Sequence, residues 1–224
     1  MTQIELIDYT YESKMTGNLF EPFSFTLIDG DACLVRTDLI DDALVFLKAL
    51  ATLFRPDRGT YRFNGRVLDL FSRKDLLRVK KRIGYITSHS ALISNRTVRE
   101  NLLLMEAYHN NTLSSELNSK TQALCEMFAI QKLIDHRPSD LPPRDCHLVI
   151  TIRELAKAPD ILLIEHPEDF IGLANFGILW DFLKTLTKEK IPMVFLSNSK
   201  SFVQAFANRE LVISQGKVTE AARP

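Results

Sequence analysis

Apolar and polar positions alternate with period two at the start of the chain, at Ile4 and Leu6 and again at Phe23, Phe25 and Leu27. This predicts two half-buried strands, with Gly17-Asn18 and Asp29-Gly30 as turns. Ala32-Cys33-Leu34-Val35 is an unbroken apolar run, the form of a strand buried on both faces. Ala43 to Phe54 is almost apolar all round and made of good helix formers, so it predicts a core helix. The breaker cluster Arg55-Pro56-Asp57-Arg58-Gly59 is expected to stop it. Thr60 to Phe63 and Arg66 to Leu68 then read as a hairpin about Asn64-Gly65, followed by a strand at Arg82 to Ile86.

From Val98 to Asp135 the apolar positions take a helical period, through Leu102, Leu103, Met105, Ala107, Leu124, Met127, Phe128 and Leu133. The polar stretch Asn110 to Asn118 divides this segment. A helix is expected at Leu148 to Lys157, a buried strand at Ile161 to Ile164 and an amphipathic helix at Phe176 to Thr187. Met193 to Leu196 predicts another buried strand and Phe202 to Asn208 another helix. Leu211 to Ile213 and Lys217-Val218 flank a Gln215-Gly216 turn. Apolar runs alternating with helices predict an α/β fold with a mainly parallel sheet core, an antiparallel β edge lobe and an inserted helical lobe. Without repeats or linkers, residues 1–224 read as one domain. The core and β lobe take about 1–90 and 150–220, and the helical lobe about 95–150.

Composition narrows the function classes by exclusion. Lys+Arg and Asp+Glu both number 28, so net charge argues for neither nucleic acid nor an anionic membrane. No stretch approaches the roughly 20 apolar residues of a membrane-spanning helix, and the N-terminus lacks a signal pattern, so a cytoplasmic location is expected. Any membrane association would come through a partner. The scattered Cys33, Cys125 and Cys146 read as reduced thiols. His89, His109, His136, His147 and His166 have no metal-ligand spacing, and no nucleophile constellation is evident.

Asp29-Gly30-Asp31 before an apolar strand, and Arg55-Pro56-Asp57-Arg58-Gly59 after the helix that follows, begin a punctuation that runs over almost the whole chain. It resembles that of one family, the ATP-binding subunits of ABC transporters, in which the first is the turn preceding the phosphate loop and the second the segment closing the helix after it. Gly30 and Gly59 lie 29 residues apart, the family's ungapped spacing. Phe63-Asn64-Gly65, Arg82 to Ile86, Thr97 to Leu102, Ile152 to Ala156 and Pro159 to Ile164 match further segments in order. The resemblance implies the ABC-type P-loop ATPase fold.

The motif positions themselves depart from the family. A phosphate loop G-x-x-x-x-G-K-[ST] wraps phosphates in backbone N–H groups, contacts them with Lys and ligates Mg²⁺ with a hydroxyl. The register places Thr37 to Val45 there, with Ala43 at the Lys position and Leu44 at the hydroxyl position. Asp38, Asp41 and Asp42 put carboxylates where a nucleotide's phosphates would sit, and such residues are expected to cap the following helix. Whether they hold a cation instead is left open. The Walker B positions carry Glu165 and His166, the one able to hold a metal and the other to act as a base.

The signature positions carry Leu141, Pro142, Pro143, Arg144 and Asp145, and proline removes N–H donors in kind. Ser88 stands at the glutamine-loop position, followed by His89, and Asn198 stands at the switch-histidine position. Glu168 to Gly172 bears little resemblance to the loop the family carries after Walker B. Tyr11 is the residue available to stack on adenine, or to pack in the core.

In the family, each ATP site joins the phosphate loop of one subunit to the signature of the other. Losses on both faces therefore imply no fully competent site with any partner. The resulting expectation is a pseudo-ATPase with no cofactor, docking through the Ser88 to Asn101 surface on a transmembrane permease subunit. Its companion would be an intact ATP-binding subunit or a second copy, at the inner face of the cell membrane. Two alternatives stand beside it: a weakly active ATPase using ATP and Mg²⁺, and a free-standing regulatory binding module.

Overall fold

A computed structural model describes residues 1–12, 17–110 and 116–221, with 105–110 described by backbone alone. The chain runs β1 (Thr2–Thr10), β2 (Phe23–Ile28), β3 (Ala32–Thr37), α1 (Ile40–Leu50), β4 (Arg58–Phe63), β5 (Arg66–Val67), α2 (Arg73–Arg82) and β6 (Ile83–Ile86). It continues through α3 (Val98–Asn110), α4 (Ser119–Met127), α5 (Pro143–Ala156), β7 (Ile161–Glu165), α6 (Pro167–Phe170) and α7 (Leu173–Lys188). β8 (Met193–Leu196), α8 (Lys200–Phe206), β9 (Arg209–Ser214) and β10 (Lys217–Ala221) complete it.

Six strands form the core sheet in the order β10-β9-β3-β8-β7-β6, parallel throughout except for the β9–β10 hairpin. The unbroken apolar runs are its central strands, and their alternation feeds two cores. Cys33, Val35, Leu163, Val194 and Leu196 face the first core, which contains α1 and the second sheet. Ala32, Leu34, Leu162, Ile164, Met193 and Phe195 face the second, shared with the helical layer. A strand covered on both faces has no solvent side, so it tolerates no polar alternation. The second sheet, β2-β1-β4-β5, is antiparallel, as the period-two pattern predicts. α5 packs on α3 and α4 to build the helical layer.

Several boundaries differ from those expected. α1 begins at Ile40 rather than Ala43 and ends at Leu50, before the breaker cluster. Thr52 turns left-handed (φ 57°), and the Leu53 and Phe54 N–H groups both return to the Lys48 carbonyl, so the backbone closes the helix before proline can act. α5 begins at Pro143 rather than Leu148, because proline suits a first helical position whose N–H has no partner. The pattern reading passed over α2, although its start is legible: Ser72 Oγ accepts from the Asp75 N–H. Residues 111–115, inside the polar stretch Asn110 to Asn118, lie outside the described residues. So do the side chains of Met105, Ala107 and His109.

Gly59 shows why a register glycine is needed. Its φ is 112°, and a Cβ there would lie 2.7 Å from the Asp8 carbonyl oxygen and the Tyr9 Cα, where β4 crosses β1.

Candidate functional site

Parallel pairing puts the C-terminal ends of β3, β8, β7 and β6 on one edge of the core sheet. Thr37, Asn198, Glu165 and Ser88 lie at or just past those ends. Four positions far apart in sequence are thereby gathered at the edge where open α/β sheets bind ligands. The start of α5 carries Pro142 to Asp145 and meets the segment that follows α6. Its Arg144 side chain covers Gly172, whose Cβ would meet Arg144 Cδ at 2.9 Å.

The segment between β3 and α1 is short. Thr37 Oγ1 donates to the Leu39 carbonyl (2.7 Å) and accepts from the Leu39 N–H (3.1 Å), folding Asp38 back. Ile40 already starts the helix, with Leu39 at the N-cap and no side chain capping it. The expected aspartate cap is therefore not made. The Thr37 turn directs the Asp38 carboxylate to Ser214 Oγ instead (2.8 Å). Asp42, fully buried, accepts from Asn18 Nδ2 (2.7 Å), and Asp41 occupies the first turn half-exposed. Ala43 (0% exposed) and Leu44 (6%) both point into the first core.

Tyr11 does not offer a face for stacking. It is fully buried, its ring 4.1 Å from that of Phe20 and edge-on to Tyr9 and Phe54. Burial pushes its phenol far above the ordinary range, and the nearby Asp42 and Tyr9 add to the effect. An aromatic buried against the rings of Tyr9, Phe20, Phe23 and Phe54 gains more from apolar contact than an exposed platform would. Its place is in the core.

Glu165, at the end of β7, is 3% exposed and satisfied from the neighbouring strand. The Tyr85 hydroxyl donates to Oε1, and Thr87 Oγ1 donates to Oε2 at 2.5 Å. His89 Nδ1 lies 3.5 Å from the same carboxylate, and Ser88 Oγ lies 3.4 Å from that ring nitrogen. Burial raises the Tyr85 phenol strongly, and the Glu165 charge and hydrogen bond raise it further, so Tyr85 remains a donor.

His166 adopts a left-handed backbone (φ 36°) at the N-cap of α6, and its N–H donates to the Leu196 carbonyl at 2.9 Å. This turns the chain so that Glu168 faces the loop after β8. Glu168 Oε1 accepts from Ser197 Oγ (2.9 Å) and from the Asn198 N–H (2.6 Å), with His166 Nδ1 3.8 Å away. Burial alone would raise the Glu168 carboxyl. His166, backbone N–H groups and Ser197 outweigh burial and hold it down to about 2. Glu168 in turn raises His166 above its usual value, against burial. Asn198 is thus held by its backbone, with its side chain at the rim of a 380 Å³ cleft that Arg36 and Lys200 also line.

Sequence reasoning singled out Glu165, His166, Ser88 and Asn198 but missed Tyr85, Thr87, Ser197 and the role of Glu168. Only Glu168 had a local signal, an acid in the first turn after His166-Pro167. Among the described residues, no group of three or more His, Cys, Asp or Glu side chains is arranged to hold a metal ion. No helix among them is long and apolar enough to cross a membrane.

No protein-family model matches the chain. Among curated proteins, the molybdenum import ATP-binding protein ModC of Escherichia coli (strain K12) is 29% identical over 174 residues, 77% of this chain and 47% of ModC. The glutamine transport ATP-binding protein GlnQ of Bacillus subtilis (strain 168) is 27% identical over 179 residues, 80% of this chain and 73% of GlnQ. The chain thus spans about half the length of ModC. Among solved structures, the dimeric bacterial ABC transporter cassette MJ0796 superposes with a TM-score of 0.82 at 18% identity, over 97% of both chains. The structure of an ATP-binding subunit of an ABC transporter gives 0.82 at 15% identity, over 98% of this chain and 90% of that one.

Proposed function

We propose that this chain, a relative of ABC transporter ATP-binding subunits that carries their fold, is a non-catalytic pseudo-ATPase subunit of a transport complex. The observation that carries the reading is the start of α1. A phosphate loop needs an open run of backbone N–H groups and a Lys. Here the Thr37 turn and an early helical turn at Ile40 occupy that run, and Ala43 and Leu44 are packed in the core. Asp38 and Asp41 add negative charge where phosphates would approach.

The other positions support the same conclusion. Glu165 is buried and holds a hydroxyl of this chain on each oxygen, so in this structure it serves as an acceptor for Tyr85 and Thr87. The α5 start offers Pro142 and Pro143, without N–H donors, to any partner's nucleotide. No nucleotide or Mg²⁺ is therefore part of the proposed function.

Docking on a permease subunit is favoured by the loop after β6. Asn101, fully buried, accepts from the Ile93 N–H (2.7 Å) and donates to the carbonyls of Ile93 and Thr97. One side chain thus holds the loop, while Ala91 and Ile93 stay exposed. A prearranged surface with an exposed apolar residue suits protein docking. The chain would sit peripherally at the inner membrane face, beside an intact ATP-binding subunit or a second copy.

Thermal denaturation with and without Mg-ATP tests the reading, since a ligand that binds the native state must raise the midpoint. No Mg²⁺-dependent shift is expected up to millimolar ATP, and no phosphate release above a blank. A Mg²⁺-dependent shift, or phosphate release above the blank, would overturn it. Co-purification with a membrane permease tests the docking role, and a chain that stays unpartnered in its own cell extract argues against it.

A further inference from the structure

At the opposite end of the core sheet, the start of β6, lies a cleft of about 630 Å³ between the β4–β5 hairpin and α2. It falls within the range of small-molecule sites. Asp75, Arg78, Val79 and Arg82 line it from one face of α2, at the spacing that brings helix side chains together. The hairpin supplies Phe63 and Leu68 as an apolar floor, with Arg66 and Val67 at the mouth. Val67 is 65% exposed, and Phe71, just before α2, is 80% exposed.

The charge here is local. Six of the ten α2 residues are Lys or Arg and one is acidic, in a chain whose net charge is zero. Arg82 is used internally, paired with Asp160 and lying over the Phe63 ring. Among the described residues, Arg66, Lys74, Arg78 and Lys81 make no ion pair, so these cations face solvent uncompensated. Asp75 is the one carboxylate in the cleft lining. Arginine presents planar paired donors that match the oxygens of a phosphate.

We propose that this cleft is a binding site for a phosphate-bearing anion, recognised by Arg66 and Arg78, with an apolar part of the ligand resting on Phe63 and Leu68. Two sources share that chemistry: the headgroup of an anionic phospholipid, with Val67 and Phe71 entering the interface, and a free phosphate ester. The site lies apart from the α1 edge and does not depend on whether nucleotide binds there.

Calorimetric titration with inorganic pyrophosphate in EDTA addresses the free anion, and metal-free conditions keep the α1 edge out of the readout. Sedimentation with phosphatidylglycerol vesicles, against phosphatidylcholine vesicles, addresses the headgroup. Binding is expected in at least one arm, weakened tenfold or more by Arg66→Glu with Arg78→Glu and by a rise from 0.05 to about 0.5 M salt. Both arginines are exposed, so the doubly substituted protein should melt like the parent. A control with the same charge change elsewhere, Lys120→Glu with Lys132→Glu, should keep full binding. No binding in either arm overturns the proposal, as does equal loss in the control.

Discussion

Replacing Glu168 by Gln removes one charge while keeping an oxygen acceptor for Ser197 and Asn198. The carboxyl is held near 2, against an ordinary value of 4.5, and its side chain is 16% exposed. That difference corresponds to about 3 kcal/mol of folding stability when the group is ionised. The sign follows from the direction of the shift. A carboxyl lowered in the folded state stabilises in full above 4.5 and loses that contribution as pH falls through about 2. His166, raised in the folded state, contributes below 6.5 and loses its part as pH rises through its folded value. Both reflect one interaction, so the gap between parent and Glu168→Gln should be greatest near pH 5.5. Urea unfolding at pH 5.5, 4 and 3 measures it. The expected gap is about 3 kcal/mol at pH 5.5 and about half that at pH 3. A gap unchanged between pH 5.5 and 3, or below about 1 kcal/mol throughout, would refute the reasoning.

Other outcomes follow from packing. Tyr11→Ala should destabilise by about 3–5 kcal/mol in urea unfolding, because a fully buried ring is removed from an aromatic cluster. Gly59→Ala should cost about 2 kcal/mol or more by the same measurement, since both φ and the β1 backbone oppose a Cβ. Tyr85→Phe should cost about 1–3 kcal/mol by removing a donor from buried Glu165, without changing ATP turnover from a blank value. Restoring motif residues as Ala43→Lys with Leu44→Ser should lower the melting midpoint rather than create an ATP-dependent shift, because both positions are inside the first core.

The succession of strands, the buried central strands and the antiparallel lobe were legible in the sequence, because period-two and unbroken apolar runs record burial directly. The residue types at the motif positions were equally plain. Local pattern also carried the Asn64-Gly65 hairpin, where both residues take positive φ. It did not carry the fate of the side chains. Whether Tyr11 stacks on a ligand or on Phe20, and whether Asp38 caps a helix or reaches Ser214, depends on partners supplied by remote segments. Glu168 meets the loop at Asn198 only because β7 and β8 are paired neighbours, and Arg66 and Arg78 share a cleft only because the hairpin lies beside α2. Propensity and period act over a few residues, whereas these contacts are set by which surfaces the sheets and helices bring together on folding.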